Sequence, residues 1–364
     1  MAIPVAVLTR ARRAADAFQA LTGVETDSVE LLTGRAALLG LTPPGRISAG
    51  GATHLMRSSD EWCALTLSRQ DDVDAVPALL ESDAVADDPW PAVQQWVATN
   101  TPADITSRAR LLGLPVAALG ETAPAPPRIT RLGNPAAPRT PAELLVADLS
   151  SMWAGPLCGQ LLARAGATVV KVETLARPNG TRAGPPKFFD WMNSEKLSYA
   201  VDFDKPAGLR RLLKAADIVI ESSRPAALLH RGLSPMPRDG RVWLRITGHG
   251  ADGERANWVA FGDDAAASGG LVSGTSEPQF CGDAIADPLT GLHAAQHVAE
   301  SLSRGGGELI ELSMAAVAAT YAQDDRTVET SCAATPAIAS RAPALGADNA
   351  AVERLLAERR LASC

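Results

Sequence analysis

Short apolar runs alternate with helical segments between residues 144 and 313, and this alternation constrains the fold more than any other feature of the 364-residue chain. Helices of about 10–15 residues between apolar runs are typical of parallel sheets. The pattern therefore predicts an α/β fold with a doubly wound parallel sheet. The predicted strands are 144–149, 168–173, 217–222, 242–248 and 308–313, and the predicted helices are 154–166, 204–216 and 287–302.

Two irregular stretches divide the chain. Residues 122–142 contain six prolines and no apolar periodicity, which predicts a linker. The segment 324–364 is irregular except for a helix at its end. We therefore expect a mixed α+β lobe over 1–121, the linker over 122–142, the parallel domain over 143–323 and the tail over 324–364.

The first lobe carries its own pattern of elements. Residues 61–68 predict a strand that follows the polar turn Ser58–Asp60, so a hairpin is expected there. Helices are predicted over 70–81, 91–99 and 103–112. Nothing in this lobe alone indicates a function.

Charge and composition exclude several classes of protein. The net charge of -7 argues against nucleic-acid binding, and no run of about 18 apolar residues could span a membrane. The N-terminus is apolar before its arginines, the reverse of a secretory signal, so a cytoplasmic protein is expected. Five scattered cysteines without a CxxC pair indicate reduced thiols. His293 and His297 share a helix face but lack a third ligand, so no metal site is expected.

The first turn of the parallel domain lacks a dinucleotide fingerprint and a phosphate loop. Gly155 nevertheless lies between strand and helix, where backbone amides can bind phosphate. Glu173 ends the next strand, where an acidic residue often meets a ribose, although an ordinary turn with a solvated glutamate is the favoured explanation of this segment. Basic residues near the strand ends indicate either an anionic ligand or a soluble surface: Lys171, Arg177, Arg182, Lys187, Lys196 and Arg224.

Asp287 and Pro288 form a good helix start, with the aspartate as a possible N-cap. A helix N-terminus also keeps a carboxylate ionised, as a nucleophile requires. The spacing alone leaves both interpretations open.

Five ordered segments together resemble class III CoA-transferases, the family of formyl-CoA transferase, carnitine CoA-transferase and 2-methylacyl-CoA racemase. They are VADLSSMWAGPLCGQLLARAG with its continuation to residue 182, and then residues 192–233, 245–271, 282–295 and 305–319. The resemblance implies a Rossmann-like CoA-binding domain and places the family's catalytic aspartate on Asp287. It implies an acyl-CoA and a carboxylic acid as substrates, no permanently bound cofactor, and a homodimer.

The resemblance also implies roles for other residues. Coenzyme A would lie across the carboxyl edge of the sheet, with Met152, Trp153, Ala154 and Gly155 beside the thioester. Candidates for its phosphates are Lys171, Arg177, Arg182, Lys196 and Arg224.

The sequence departs from the family in three places. The racemase branch has a histidine where this chain has Asp263 and Asp264, a possible secondary acid/base pair, so a transferase is preferred over a racemase. Trp153 stands where formyl-CoA transferases carry glutamine, which favours a bulky apolar acyl group. Residues 46–121 look like the family's small domain, with a flap at Gly50 and Gly51, yet precede the CoA domain.

Three functions are therefore considered. The first is a CoA-transferase that forms anhydride and thioester intermediates on Asp287. The second is a 2-methylacyl-CoA racemase or epimerase, and the third is a non-catalytic CoA-binding protein.

Overall fold

Three sheets organise the chain in the computed structural model, which describes residues 1–42, 45–83, 85–274, 277–323 and 328–362. The strands are β1 (Ala2–Pro4), β2 (Thr53–Arg57), β3 (Trp62–Thr66), β4 (Val116–Ala118), β5 (Arg128–Arg131), β6 (Leu145–Asp148), β7 (Thr168–Glu173), β8 (Leu197–Ala200), β9 (Ile218–Glu221), β10 (Val242–Thr247), β11 (Glu308–Ser313) and β12 (Glu329–Ser331).

The large sheet has the order β5-β11-β10-β9-β6-β7-β8. All neighbouring strands in it are parallel except β5, which pairs antiparallel with β11. The chain runs from β6 outward to β8, then returns to β9 on the other side of β6. Ligands of doubly wound sheets bind at such a reversal, outside the carboxyl ends of the strands. The predicted α/β fold with a doubly wound parallel sheet is confirmed.

Helices cover both faces of this sheet and surround the small one. They are α1 (Val5–Thr22), α2 (Ser28–Leu39), α3 (Gln70–Asp74), α4 (Val76–Leu80), α5 (Trp90–Thr99), α6 (Pro102–Leu111), α7 (Ala154–Arg164), α8 (Pro186–Asn193), α9 (Ala207–Ala215), α10 (Pro225–Leu229), α11 (Gly262–Ser268), α12 (Ala286–Ser303), α13 (Met314–Ala322) and α14 (Asn349–Ala362).

Side chains alternate between the two faces of the large sheet. Val146 points to a core shared with α1, α2, α7, α12 and α13, whereas its neighbours Leu145 and Ala147 face a second core with α9 and α14. Apolar residues on both faces explain why the strands appear in the sequence as continuous apolar runs. Helices α1 and α7 both pack against α12, the helix that carries Asp287.

The small sheet has the order β2-β3-β4 and is antiparallel. The predicted hairpin at Ser58–Asp60 joins β2 to β3, and α3 to α6 cover one face. Leu55 and Ala64 on this sheet join a cluster with Ala267 of α11. The small sheet therefore contacts the helix whose first turn contains Asp263 and Asp264.

The segment predicted as one lobe over 1–121 contributes to two cores. Apolar side chains of α1 and α2 pack with the large sheet, whereas those between Met56 and Val116 form the core of the small sheet. Helix α1, which the sequence analysis does not predict, buries Val7, Ala11 and Phe18 on one face and exposes Arg12 and Arg13. The domain boundaries themselves remain a prediction.

The predicted linker over 122–142 contains a strand. β5 lies within it and pairs with β11 over Arg128–Arg131. Four residues with exposed side chains give little apolar signal, so backbone hydrogen bonding, not burial, makes this a strand. In the predicted tail the helix is present as α14, while residues 324–327 and 363–364 lie outside the described residues.

Candidate active site

Asp287 lies in the first turn of α12 and is 8% exposed. Its Oδ1 accepts a hydrogen bond of 3.2 Å from the backbone N–H of Ala154, the first residue of α7. The Gly262 N–H at the start of α11 also hydrogen bonds to the carboxylate. The N-terminal ends of three helices thus meet at one carboxylate, where their amides and dipoles stabilise negative charge.

The interpretation of Asp287 as the cap of its own helix is wrong. The N-cap position of α12 is Ile285, and no side chain caps it. Asp287 instead accepts from a residue 133 positions away in sequence. This arrangement is consistent with a role beyond helix capping.

Gly262 has no room for a side chain. A Cβ there would lie 2.3 Å from the Ala284 carbonyl oxygen and 2.5 Å from Asp287 Oδ2. Glycine therefore allows the backbone of α11 to approach the carboxylate. Gly155 plays a similar part in α7, because a Cβ there would lie 2.2 Å from Ser150 Cβ.

Asp263 and Asp283 interact with Asp287, and Asp264 follows Asp263 in the first turn of α11. Asp263 accepts from the Ala284 N–H at 3.0 Å, and Asp264 accepts from Phe261 N–H and Thr66 Oγ1, both at 2.9 Å. Burial raises the pKa of Asp287 to about 6, of Asp263 to about 7 and of Asp264 to about 8. The charge of Asp283 adds to the rise at Asp263 and Asp287. Burial also raises the pKa of Asp283 itself.

Arg35 is the basic residue of this cluster, and sequence reasoning missed it. Its Nη1 lies 2.5 Å from Asp283 Oδ1 in an ion pair that joins α2 to the residues before α12. Its charge lowers the pKa of Asp263, Asp283 and Asp287. The two partners are 248 positions apart, and no local pattern in α2 signals the contact.

The predicted flap lies next to Arg35. A Cβ on Gly50 would lie 3.5 Å from Arg35 Nη2. Gly51 has a φ of 77°, a left-handed conformation that favours glycine. The structure thus brings the flap to the guanidinium that pairs with Asp283.

The loop before α7 carries the residues predicted to lie beside a thioester. Met152 is partly exposed with a φ of 67°, and its N–H donates to Asn179 Oδ1 at 3.2 Å. Trp153 is buried, packs edge-on against Phe188 at 5.3 Å between ring centres, and its Nε1 has no hydrogen-bond partner among the described residues. Ala154 directly contacts Asp287. The structure therefore brings this loop and Asp287 together.

Lys171 and Lys196 are buried, and the structure does not support their predicted role at the CoA phosphates. Lys196 Nζ lies 2.9 Å from Asp148 Oδ2 and donates to the Pro156 carbonyl at 2.7 Å. Lys171 Nζ lies 3.5 Å from Asp148 Oδ1 and donates to the Ser150 carbonyl. Burial lowers the pKa of Lys196 to about 8, although the charge of Asp148 opposes this. Both ammonium groups hold the β6–α7 loop.

The other predicted phosphate ligands differ in exposure. Arg182 pairs with Glu173 at 2.6 Å and lies over the Phe189 ring, so Glu173 is occupied by an arginine and not free for a ribose. Arg177 and Arg224 are exposed near the carboxyl ends of the strands, as is Lys187. Arg177 and Arg224 therefore remain the more accessible candidates.

The two helix-face histidines have other partners. His293 Nε2 is 2.9 Å from Tyr321 Oη, and His297 Nδ1 is 2.9 Å from Glu300 Oε2. Within the described ranges, no group of three or more potential ligands could hold a metal ion. No described helix is long and apolar enough to cross a bilayer.

Two clefts of the described residues lie away from Asp287. One, of about 760 Å³, is bordered by α5, α6 and Trp258, and another, of about 390 Å³, by the 124–127 segment and His293. Asp287 lines neither of them.

The chain is an α/β protein with a doubly wound parallel sheet, in which three helix N-termini meet at the buried carboxylate of Asp287. A family model described as CoA-transferase family III matches residues 142–350, more than half of the chain. The chain belongs to this family, as the resemblance predicts.

Several curated proteins are similar to this chain. A succinate–glutarate CoA-transferase of Agrobacterium fabrum is 30% identical over an alignment of 197 positions that covers 46% of this chain and 49% of that protein. A succinyl-CoA–D-citramalate CoA-transferase of Chloroflexus aurantiacus is 28% identical over 199 residues, covering 49% and 50%. The chain thus spans about half the length of the curated relatives it matches.

Solved structures are also similar. A hypothetical protein from Mycobacterium tuberculosis has a TM-score of 0.46 at 27% identity, with 51% of this chain and 57% of that chain covered. A CAIB/BAIF family protein from Brucella suis has a TM-score of 0.45 at 27% identity, with 50% and 55% covered. Arg35, the flap and the small sheet all lie outside the residues matched by the family model.

Proposed function

We propose that this chain is an acyl-CoA:carboxylate CoA-transferase in which Asp287 is the nucleophile. The observation that carries the proposal is the Asp287 carboxylate, held by backbone N–H groups of α7 and α11 in a member of CoA-transferase family III. The names of the relatives point to the same reaction class, since they are transferases acting on succinyl-CoA or related carboxylic acids. CoA and its acyl thioesters are then substrates, not resident cofactors.

The environment of Asp287 suits nucleophilic attack. A pKa of about 6 leaves the carboxylate ionised near pH 7 while making it more basic than an exposed aspartate. The Ala154 and Gly262 N–H groups fix its orientation and can stabilise an oxyanion that forms on the same carboxyl group. Burial excludes water, which protects a reactive acyl link from hydrolysis.

The reaction proceeds through four balanced displacements. An Asp287 oxygen attacks the thioester carbonyl of the donor, the C–S bond breaks, and CoA leaves as thiolate with the bonding electrons, giving an aspartyl-acyl anhydride. The thiolate attacks the aspartyl carbonyl and releases the donor acid as a carboxylate. An acceptor carboxylate then displaces thiolate from the aspartyl-CoA thioester. The thiolate finally attacks the acceptor carbonyl, and Asp287 is restored.

Coenzyme A would bind along the carboxyl ends of β6 and β9, where the order of the sheet reverses. Arg177 and Arg224 are exposed near these strand ends and are the candidates for its phosphates. The flap at Gly50 and Gly51 would open to admit the pantetheine. Preference for a bulky apolar acyl group beside Trp153, and assembly into a homodimer, remain predictions.

One observation favours racemisation as a second candidate. Asp263 is partly exposed, and burial beside Asp283 raises its pKa to about 7, which suits proton transfer next to a thioester. Asp264 is a poorer candidate because it is fully buried and hydrogen bonds to Thr66. A purely CoA-binding protein has no comparable need for a nucleophile-like carboxylate, so that alternative has less support.

The test is covalent trapping. The purified chain is incubated with acetyl-, isobutyryl-, succinyl-, octanoyl- and palmitoyl-CoA, with and without hydroxylamine, and its peptides are analysed by mass spectrometry. We expect a CoA adduct or hydroxamate on Asp287, with a yield that falls as the pH drops below about 6 because the carboxyl group becomes protonated.

Two variants sharpen this experiment. Asp287→Asn keeps an oxygen that accepts from Ala154 N–H and should fold normally without forming an adduct. Asp283→Asn changes a neighbouring buried carboxyl group and should still form the adduct on Asp287. Exchange of the α-proton into deuterated water without any adduct would instead establish the racemase.

A further inference from the structure

Arg35 lies in the aspartate cluster around Asp287, whose pKa its charge lowers. Nη1 of its guanidinium is paired with Asp283 at 2.5 Å, and the side chain is 24% exposed. Within the described ranges this is the hydrogen-bonding contact that the structure gives it. The ring centres of Trp153 and Phe188 lie 5.7 and 5.5 Å from the guanidinium carbon, so the group is held in place.

The other edge of the guanidinium faces the flap. A Cβ on Gly50 would lie 3.5 Å from Arg35 Nη2. Because residue 50 is a glycine, it places no side chain over this edge of the guanidinium. Arginine binds carboxylates through paired N–H groups of this kind. Opening of the flap would therefore expose a ready donor edge beside the Asp287 site.

An anionic acceptor needs a positively charged partner at this site, because several aspartates lie there. Asp263, Asp283 and Asp287 together disfavour an incoming carboxylate, and Arg35 is the cation whose charge lowers the pKa of all three. Conversion of Asp287 to a thioester removes one of these negative charges. Arg35 then has one fewer anion to offset at the moment when the acceptor must enter.

We propose that Arg35 binds the carboxylate of the acceptor acid through its flap-facing edge and positions it to attack the aspartyl-CoA thioester. This assignment rests on the proposed function, and it deepens that function by naming a residue outside the matched family region that selects anionic acceptors. Donor binding and formation of the aspartyl-acyl anhydride do not depend on this contact, whereas release of the donor carboxylate is the reverse of acceptor attack and shares it.

The test compares a charged acceptor with a neutral one. The aspartyl-CoA adduct is formed with the best donor of the panel and then challenged with the ¹³C-labelled free acid of that donor or with hydroxylamine. Assays are run at about pH 8, where Asp287, with a pKa of about 6, is ionised. Because Arg35→Met alone leaves Asp283 buried without its partner, the double variant Arg35→Met with Asp283→Asn is used beside it.

We expect kcat/KM for the labelled acid to fall roughly ten- to hundredfold in the double variant, the effect of losing a charged hydrogen bond. Capture by hydroxylamine should stay within about twofold, since it carries no charge to be recognised. Arg35→Lys should recover part of the loss. Arg231→Met, which changes an exposed arginine paired with Asp204, is the matched control.

Other outcomes overturn the assignment. An equal fall for both acceptors means that Arg35 supports only the fold or the nucleophile, and no fall for either means that the acceptor binds elsewhere. If the unmodified chain forms no adduct, the proposed function fails and this assignment fails with it. An adduct that forms normally while Arg35 variants use the labelled acid unchanged removes this assignment alone.

Discussion

At the scale of single residues, the absence of a side chain at Gly262 determines where the Asp287 carboxylate lies. Gly262 lets the first N–H of α11 reach Asp287, because any Cβ there would overlap the Ala284 carbonyl and Asp287 Oδ2. Backbone atoms of packed helices move little to relieve such an overlap. The position of the carboxylate therefore depends on this glycine.

Gly262→Ala should move the Asp287 carboxylate and destabilise the fold by about 1–3 kcal/mol, a typical result of overpacking. Adduct formation should fall much further than the loss of stability explains. Chemical denaturation and the trapping assay measure the two effects. Gly184→Ala is the control, because a Cβ there meets the Thr181 carbonyl at an ordinary 3.6 Å. Normal trapping in the Gly262 variant would show that the close approach is dispensable.

Some site residues could be predicted from sequence and others could not. Asp287 could be predicted as the candidate nucleophile because residues 282–295 resemble the family segment that carries the catalytic aspartate. The sequence does not predict a role for Arg35, because its ion pair with Asp283 joins positions 248 residues apart. Lys171 and Lys196 were assigned wrongly because a place at a strand end does not tell whether an ammonium group faces solvent or a buried carboxylate.

At the scale of secondary-structure elements, the start of α7 is held by a buried charged cluster. Asp148 at the end of β6 pairs with Lys196 at 2.9 Å and with Lys171 at 3.5 Å, and it accepts from the Ser150 N–H at 3.0 Å. The two lysines also donate to carbonyls of the loop and of α7. This cluster orients the N–H of Ala154 toward Asp287.

Lys196→Met should lower the free energy of unfolding by roughly 3–5 kcal/mol, because it leaves Asp148 buried with fewer partners. The shift of the loop should also reduce adduct formation. Denaturant unfolding with the trapping assay tests both. Lys205→Met changes an exposed lysine on the loop before α9 and should have little effect. A Lys196 variant as stable as the parent would refute the structural role of this cluster.

Elements with a clear apolar pattern were predicted well. Predicted strands 168–173 and 308–313 coincide with β7 and β11, and the predicted helix 287–302 lies within α12. Two elements were missed for different reasons. β5 is short and exposed, whereas α1 has an apolar face with Val7, Leu8 and Phe18 that the sequence interpretation passed over. Tertiary contacts, not local pattern, stabilise these elements.

At the scale of the whole molecule, the small sheet and the large domain meet at a buried carboxyl group. Asp264 of α11 accepts from Thr66 Oγ1 of β3, and Thr66 in turn contacts Thr53 of β2 at 2.9 Å. Burial raises the pKa of Asp264 to about 8, so the folded protein holds this group protonated at pH values where the unfolded chain, near 3.8, does not.

This difference predicts a pH-dependent stability. A raised pKa in the folded state stabilises the protein fully below about pH 4, and the contribution is lost as the pH rises toward about 8. The gap in free energy of unfolding between the parent and Asp264→Asn should therefore shrink over this range. Denaturant titrations at several pH values measure it. Asp204→Asn, an exposed control, should give a constant gap, and a constant gap for Asp264→Asn would contradict the prediction.

The antiparallel pairing of β5 with β11 affects how whole molecules meet one another. A parallel sheet that ended at β11 would present free N–H and C=O groups to any passing strand, the usual start of fibril growth. β5 pairs with those groups and becomes the edge itself, but it is only four residues long and carries Arg128 and Arg131. The proline-rich segment thus does more than connect two parts of the chain. It supplies a short, charged edge strand, which disfavours pairing with the strands of neighbouring molecules.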